Sequence, residues 1–502
     1  MMKINNIRTK IILLFLAIFT LSTTSCVKEL EELNSDPNAI EELPYGIQLT
    51  RLQLYLSGTR YEMRRASLGW AMSAIQQFAD VNISTSLLPG DKYIDFLDYS
   101  SSLFDRAFTN EYKDLADYMA RVSEDPEAIN YHAAGRVMRV LSFHRTTDLY
   151  GDIPYFEAGL GYLDNEWTPS YDSQEEIYNH MLMELEEAAL EFSNSAPSIG
   201  SQDLFYGGDI TKWKKLSYSL MLRLGLRLVK VDPAAAELWV SKAIAGGVMT
   251  DLNDVVKTEH QIDGGWINTN PYGEAFEIDK FMRLSDTFVS WMQDHGDPRL
   301  EILSFVESGG PHQGLPNGLD PNTLETMGPA GGDLENYSQL NQALVQRDSP
   351  FVFMTYAEVE FMLAEAAVRG WYSGDAQTHY NNGVRAAMEN WSFYGVTTPT
   401  TAAVDAYLAA NPFDAANALE MIGEQYWAAT FLNPWEGYAN WRRIEYPVLT
   451  PVNYPGNATG GTIPRRLKYP DTEYTLNEEN VRAAEARQGP NSYTTRIWWD
   501  KN

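Results

Sequence analysis

The 502-residue chain holds a single cysteine, Cys26, so no internal disulfide can form and a metal site built on thiolates is excluded. Histidine is scarce too: the seven side chains are scattered, and no HExxH pair sets two of them on one helical face. Also missing are a GxSxG elbow, a GxxxxGK[ST] phosphate loop and a GxGxxG dinucleotide turn, which removes the common hydrolase and nucleotide signatures. Basic charge is short as well. Against 38 Lys and Arg stand 68 Asp and Glu, a formal net charge of -30 that repels nucleic acid and anionic lipid. The plain reading of that charge is a surface that keeps the protein soluble.

No hydrophobic run reaches the roughly 20 residues that a spanning helix needs. The apolar stretch from Ile11 to Leu21 is too short, but Lys3, Arg8 and Lys10 precede it and Ser22-Thr23-Thr24-Ser25 follow it. That is the layout of an export signal. Cys26 comes directly after, where bacterial lipoproteins are cleaved and acylated, although Thr23 replaces the usual Leu. The expectation is a signal peptide over 1–25 and a lipidated Cys26; the alternative is an ordinary signal with a chance cysteine. Acyl chains would anchor the mature protein to a membrane.

What is present is material for a large core, with 44% hydrophobic and 12% aromatic residues. Residues 26–44 are acidic and poor in large apolar side chains, which predicts a tether into a single folded body over 45–502. Helical periodicity dominates that body. Val137, Val140, Leu141 and His144 define one face of a helix within 131–147, where His144 reads as a core residue. Ser173 caps a second helix striped by Ile177, Met181, Leu185 and Ala188. Further helices are predicted over 210–230, 234–245, 354–369 and 376–388, with small residues such as Ala364 and Ala387 allowing close approach. These pairs look like tetratricopeptide units of irregular period. Between and after them lie two stretches rich in Gly, Pro, Asn and aromatics, an insert over about 251–349 with one helix at 285–294, and the end of the chain from 446. Long irregular stretches in a folded protein are more often functional than accidental.

Carboxylate pairs could serve glycoside hydrolysis. Asp148 with Asp152, and Asp294 with Asp297 and Arg299, flank turns, where capping and ion pairing account for them. The exported, metal-free and aromatic-rich character favours binding over catalysis. Sugar rings stack apolar faces on Trp and Tyr while amides and acids meet their hydroxyls.

The order of several segments resembles the SusD/RagB family of nutrient-binding outer-membrane lipoproteins, in its SusD-like branch. The segments are Leu33-Asn34-Ser35-Asp36-Pro37-Asn38-Ala39, Thr147-Asp148-Leu149-Tyr150-Gly151-Asp152-Ile153-Pro154-Tyr155, Asp297-Pro298-Arg299-Leu300, Gly314-Leu315-Pro316-Asn317-Gly318, Trp441-Arg442-Arg443-Ile444-Glu445-Tyr446-Pro447, and Ile463-Pro464-Arg465-Arg466-Leu467-Lys468-Tyr469-Pro470. The resemblance implies an all-α fold in which tetratricopeptide-like helix pairs pack against an irregular, loop-rich half. It implies a partner as well, a SusC-like TonB-dependent β-barrel that receives glycans, or in some members peptides, from a lid of this kind. Glu29, Glu31 and Glu32 resemble the signal that sends such lipoproteins to the cell surface. Structural calcium occurs in some relatives, yet no DxDxDG loop is present here. The family's aromatic ligand arc has no matching motif, so the candidate site rests on composition: Trp70, Trp266 and Tyr272 for stacking, Gln77 and Asn270 for hydroxyls. The expectation is a non-enzymatic glycan receptor without cofactor. A peptide-binding lid, a surface glycoside hydrolase and a purely structural or adhesive surface protein remain as alternatives.

Overall fold

The computed structural model describes residues 43–82, 88–278, 281–327 and 331–501. Backbone packing divides the chain into Met1–Pro44 and Tyr45–Asn502. The signal segment, Cys26 and the tether as far as residue 42 lie outside the described residues. Among the described residues no helix is long and apolar enough to cross a membrane.

The fold is mostly helical. The main helices are α1 (Tyr45–Ser57), α2 (Tyr112–Glu124), α3 (Ile129–Tyr150), α4 (Gln174–Glu191), α5 (Ile210–Arg227), α6 (Pro233–Gly246), α7 (Pro271–Ile278), α8 (Asp286–Asp294), α9 (Tyr356–Val368), α10 (Ala376–Glu389), α11 (Thr401–Ala410), α12 (Ala418–Ala429), α13 (Pro434–Ile444) and α14 (Glu478–Gln488). Their ends follow local chemistry. Ser173 accepts from the N–H of Glu176 while the Glu176 carboxylate accepts from the N–H of Ser173, a reciprocal cap at the start of α4. Asp209 caps α5, and Asp232 caps α6 with Pro233 at its first position, where a missing N–H costs nothing. The helix expected from 354 starts two residues later, because Phe351–Met354 pairs as a strand with Val256–Thr258 and Thr355 then caps α9.

Successive helices pack on one another: α3 on α4, α4 on α5, α5 on α6, and α9 on both α10 and α12. Ala364, Ala366, Ala386 and Ala387 are buried between α9 and α10, and a Cβ on Gly383 would come within 2.6 Å of the Phe361 ring. Helix α3 departs from the one-faced expectation. Ser142, Phe143, Arg145, Thr146 and Asp148 are buried along with Val137 and Val140, since α3 is enclosed by α1, α2, α4 and α13.

Such enclosure brings polar groups into the core, and they are paired. Arg223 of α5 meets Glu358 of α9 at 2.6 Å and Glu436 of α13 at 3.2 Å, and Arg227 meets the same Glu436 at 2.6 Å. Burial works to raise the Glu436 carboxyl, but the two guanidiniums outweigh it and hold it at about 2. Asp148 of α3 accepts from the indole of Trp499 at 2.9 Å, so the chain's end is tied into the same network.

The segment 251–349 contains more order than its composition announces. Besides α7 and α8 it holds short helical turns at Arg299–Leu303 and Pro321–Thr326. Three antiparallel two-stranded ladders pin it: Phe78–Ala79 with Arg283–Leu284, Val256–Thr258 with Phe351–Met354, and Ser304–Phe305 with Gln339–Leu340. The end of the chain likewise includes α14.

Candidate functional site

Four of the five residues expected to meet ligand are core residues. Trp70 is fully buried and stacks on Tyr493, with centroids 4.4 Å apart. Gln77 is fully buried and donates to the Trp427 carbonyl at 2.8 Å, while the Trp427 indole donates to the carbonyl of Ile75 at 3.0 Å. Asn270 donates to the carbonyl of Ser349 at 2.9 Å and accepts from the N–H of Tyr272. Tyr272 stacks on Phe351 and hydrogen-bonds Ser67 at 2.9 Å. None offers a face to solvent, so the grouping of Trp70, Gln77, Asn270 and Tyr272 as ring platforms and hydroxyl partners is corrected. Large aromatic and amide side chains in a helical body are used first for packing and for closing backbone hydrogen bonds. Trp266 is the exception: it is 52% exposed and leans edge-on against Tyr55.

The structure gathers other residues into a cleft of about 450 Å³ on the irregular half, a size suited to a small ligand. Three chain segments build it. The first is the turn after the wide helical segment Met63–Met72, where Gln76 takes a left-handed φ of 55°. Gln76 donates to the Thr450 carbonyl at 2.6 Å and accepts from the Thr287 hydroxyl at 2.7 Å, joining all three segments through one side chain. The second is the start of α8 with the strand-like run Gly314–Gly318 beside it. Here the N–H of Asp286 donates to the carbonyl of Leu315 at 2.9 Å, and a Cβ on Gly314 would lie 2.3 Å from the Cα of Asp286. Only glycine permits that approach. The third is the loop Thr450–Pro455, which brings Asn453 and Tyr454.

Behind the cleft a buried ion pair fixes its wall. Asp91 and Lys92 are in contact at 2.6 Å, both side chains almost wholly buried, and the N–H of Gly318 donates to Asp91 at 3.3 Å. The Asn317 amide donates to the Phe78 carbonyl at 3.0 Å and also to Asp91. At the mouth, the Tyr454 hydroxyl donates to Asp320 at 3.0 Å. The backbone N–H and hydroxyl of Thr323 hold the Asp320 carboxyl below the usual carboxylate range, while burial, aided by Asp320, pushes the Tyr454 phenol up. At neutral pH the cleft therefore presents anionic and neutral acceptors, hydroxyl and amide donors, and one aromatic ring. No Lys or Arg lines it among the described residues. Past Asp320 the surface opens into a wider hollow with Val81, Phe281, Leu324 and Leu334, where the Phe281 ring is half exposed.

No three His, Cys, Asp or Glu side chains among the described residues converge as metal ligands would. The cleft is a polar surface with fixed walls, in which the Asp320 carboxylate takes up the hydroxyls of Tyr454 and Thr323 at 3.0 and 2.9 Å. Sequence reasoning missed Gln76, Asp320, Asn453 and Tyr454. The signals available were the turn-rich runs Gly314–Gly318 and Asn453-Tyr454-Pro455-Gly456-Asn457, each an ordered loop of the kind that carries function.

A family model described as starch-binding and associating with the outer membrane, SusD-like, matches residues 37–470. The chain belongs to the SusD-like family. Among solved structures, a chitin-binding protein is 34% identical over 91% of this chain and 100% of its own, with a TM-score of 0.84. A SusD-like protein described as Bacteroidetes AC2a is 27% identical over 92% of this chain and 100% of its own, with a TM-score of 0.82. A chitin-binding SusD homologue from Flavobacterium johnsoniae, 24% identical with a TM-score of 0.78 over 91% of this chain, shares the fold. No curated protein matches the chain. The mostly helical SusD-like architecture expected from the sequence is thus the one observed.

Proposed function

We propose that this SusD-like protein is a glycan-binding lipoprotein of the outer membrane that captures a chitin-type oligosaccharide and passes it, without catalysis, to a SusC-like TonB-dependent barrel. The observation that carries this reading is the cleft between Gln76, Asn317 and Tyr454, whose walls are locked by the protein's own hydrogen bonds. Fixed walls lower the ordering cost of binding a flexible oligosaccharide. The 34% identical relative described as chitin-binding supports the choice of sugar. Lipid on Cys26 supplies the anchor in this reading, with the folded body facing the cell exterior and no metal or cofactor required.

Isothermal titration of the purified chain against chitohexaose, maltoheptaose and a mixed peptide pool tests the cargo. Chitohexaose should bind, and Tyr454→Ala with Asn453→Ala should weaken it at least tenfold at unchanged thermal stability. Binding of peptides alone, or chitohexaose binding indifferent to both substitutions, would overturn the assignment. Cys26→Ala should move the protein from the membrane fraction to the soluble one, and co-purification of a large barrel with the anchored form tests the partner.

A further inference from the structure

A second hollow lies on the helical half, away from the residues that build the cleft. It has a volume of about 370 Å³ between α2, the connection 154–169 and the turn Glu473–Leu476 ahead of α14. Phe104 and Phe108 form its floor, stacked with centroids 4.3 Å apart. Trp167, 71% exposed, and Tyr162, 54% exposed, stand at its side. Trp167, Tyr162 and the two phenylalanines line one hollow together, and it is such a contiguous apolar surface, rather than a single open indole, that marks a binding site.

The connection that carries the indole is tied down on both sides of it. Glu157 accepts from the N–H of Ser170 at 2.8 Å and from its hydroxyl at 2.7 Å, closing the connection on itself. Asn480 donates to the Thr168 carbonyl and Asn477 to the Pro169 carbonyl, each at 2.8 Å, so the residues just after Trp167 are bound to α14 and the turn ahead of it. Glu166 accepts from the N–H of Thr168 at 2.9 Å, and the Tyr162 hydroxyl donates to Asp117 of α2. At Gly161 a Cβ would lie 2.9 Å from the Trp167 ring, so the absence of a side chain leaves the ring its place.

Round this apolar centre runs a polar rim of both signs, with Lys113 and Glu166 among the lining residues. A flat aromatic face bordered by hydrogen-bond donors and acceptors suits a ring that is apolar on its faces and hydroxylated at its edge. An aliphatic protein knob would leave the rim's charged groups desolvated without partners. We propose that this hollow is a second glycan subsite, in which one pyranose ring stacks on Trp167 and its hydroxyls meet Lys113 and Glu166. It rests on glycan being the cargo, but it is separate from the cleft.

The test uses the unmodified full chain and N-bromosuccinimide, which oxidises exposed indoles, with modified tryptophans mapped by mass spectrometry. Saturating chitohexaose should slow modification of Trp167 at least threefold and leave exposed Trp266 unchanged. In the Tyr454→Ala, Asn453→Ala background, weaker residual binding should persist and be removed by Trp167→Ala, with Trp167→Phe retaining most of it. If chitohexaose binds without slowing the modification of Trp167, or Trp167→Ala leaves stoichiometry and affinity unaltered, the subsite is refuted while the cleft reading stands. If neither chitohexaose nor maltoheptaose binds at all, both fall. If Trp167→Ala instead removes only the association with a membrane protein, the hollow is a protein contact and the proposal is wrong.

Discussion

At the scale of single residues, burial divides side chains that the sequence presents alike. Trp70 and Trp266 are both tryptophans in polar-rich surroundings, yet one is fully buried against Tyr493 and the other half open against Tyr55. Trp70→Ala should cost about 3–5 kcal/mol, the range for emptying an aromatic site in a core. Trp266→Ala should stay within about 1 kcal/mol. Urea denaturation midpoints of the two variants check this. The helical stripe placed His144 in the core, where it is found, but it did not show that Ser142, Phe143, Arg145 and Thr146 off the stripe are buried too. No such stripe exists for Trp70, which sits in a wide helical segment, Met63–Met72, buried on nearly every side. His144 also carries a pH dependence. Burial, with Arg223 adding to it, lowers its imidazole to about 4, and its Nδ1 lies 2.8 Å from the Val140 carbonyl. The unfolded chain, with a histidine near 6.5, takes up the proton first. Stability from this group is complete above about pH 6.5 and is lost as pH falls towards 4, by an amount on the order of 3 kcal/mol. Thermal unfolding followed between pH 7.5 and 4.5 should show a shallower acid loss in His144→Asn than in the parent.

At the scale of elements, most helix boundaries were written locally and the cleft was not. Ser173, Asp209, Asp232 and Asp375 each cap the helix that follows, and a cap needs only three or four consecutive residues to be read. Ser173→Ala should therefore destabilise the protein by about 1 kcal/mol without altering ligand affinity, since α4 lies outside the cleft. A matched pair of melting curves and titrations measures both halves of that statement. By contrast Gln76, Thr287 and Thr450 meet across more than 370 positions of sequence, and Asp91 holds Asn317 from 226 positions away. No periodicity carries such information. The composition of 251–349 announced irregular chain and hid α7 and the short ladders, because strands of two to four residues leave too little alternation to detect.

At the scale of the whole molecule, the last residues act as a strap across helices far apart in sequence. Trp499 is fully buried, donates to Asp148 of α3 at 2.9 Å, and lies under Arg442 of α13 and Arg227 of α5, at 4.9 and 5.6 Å from its ring. Asp500, also fully buried, pairs with Arg465 and, at 2.7 Å, with Arg496. A stop codon after Ile497 would empty the Trp499 site and leave Arg465, itself largely buried, without its main carboxylate. The first loss is worth about 3–5 kcal/mol and an orphaned buried charge about as much again. Even short of additivity, the sum approaches the roughly 5–15 kcal/mol that keeps a domain folded. The truncated chain should therefore fail to accumulate as a folded protein or melt far below the parent. A tag fused after Asn502 should leave the melting temperature unchanged, because Lys501 already lies in solvent. Melting curves of the truncated chain and the parent decide between a strap and a dispensable tail: equal melting temperatures would show that α3, α5 and α13 hold their buried charges without it.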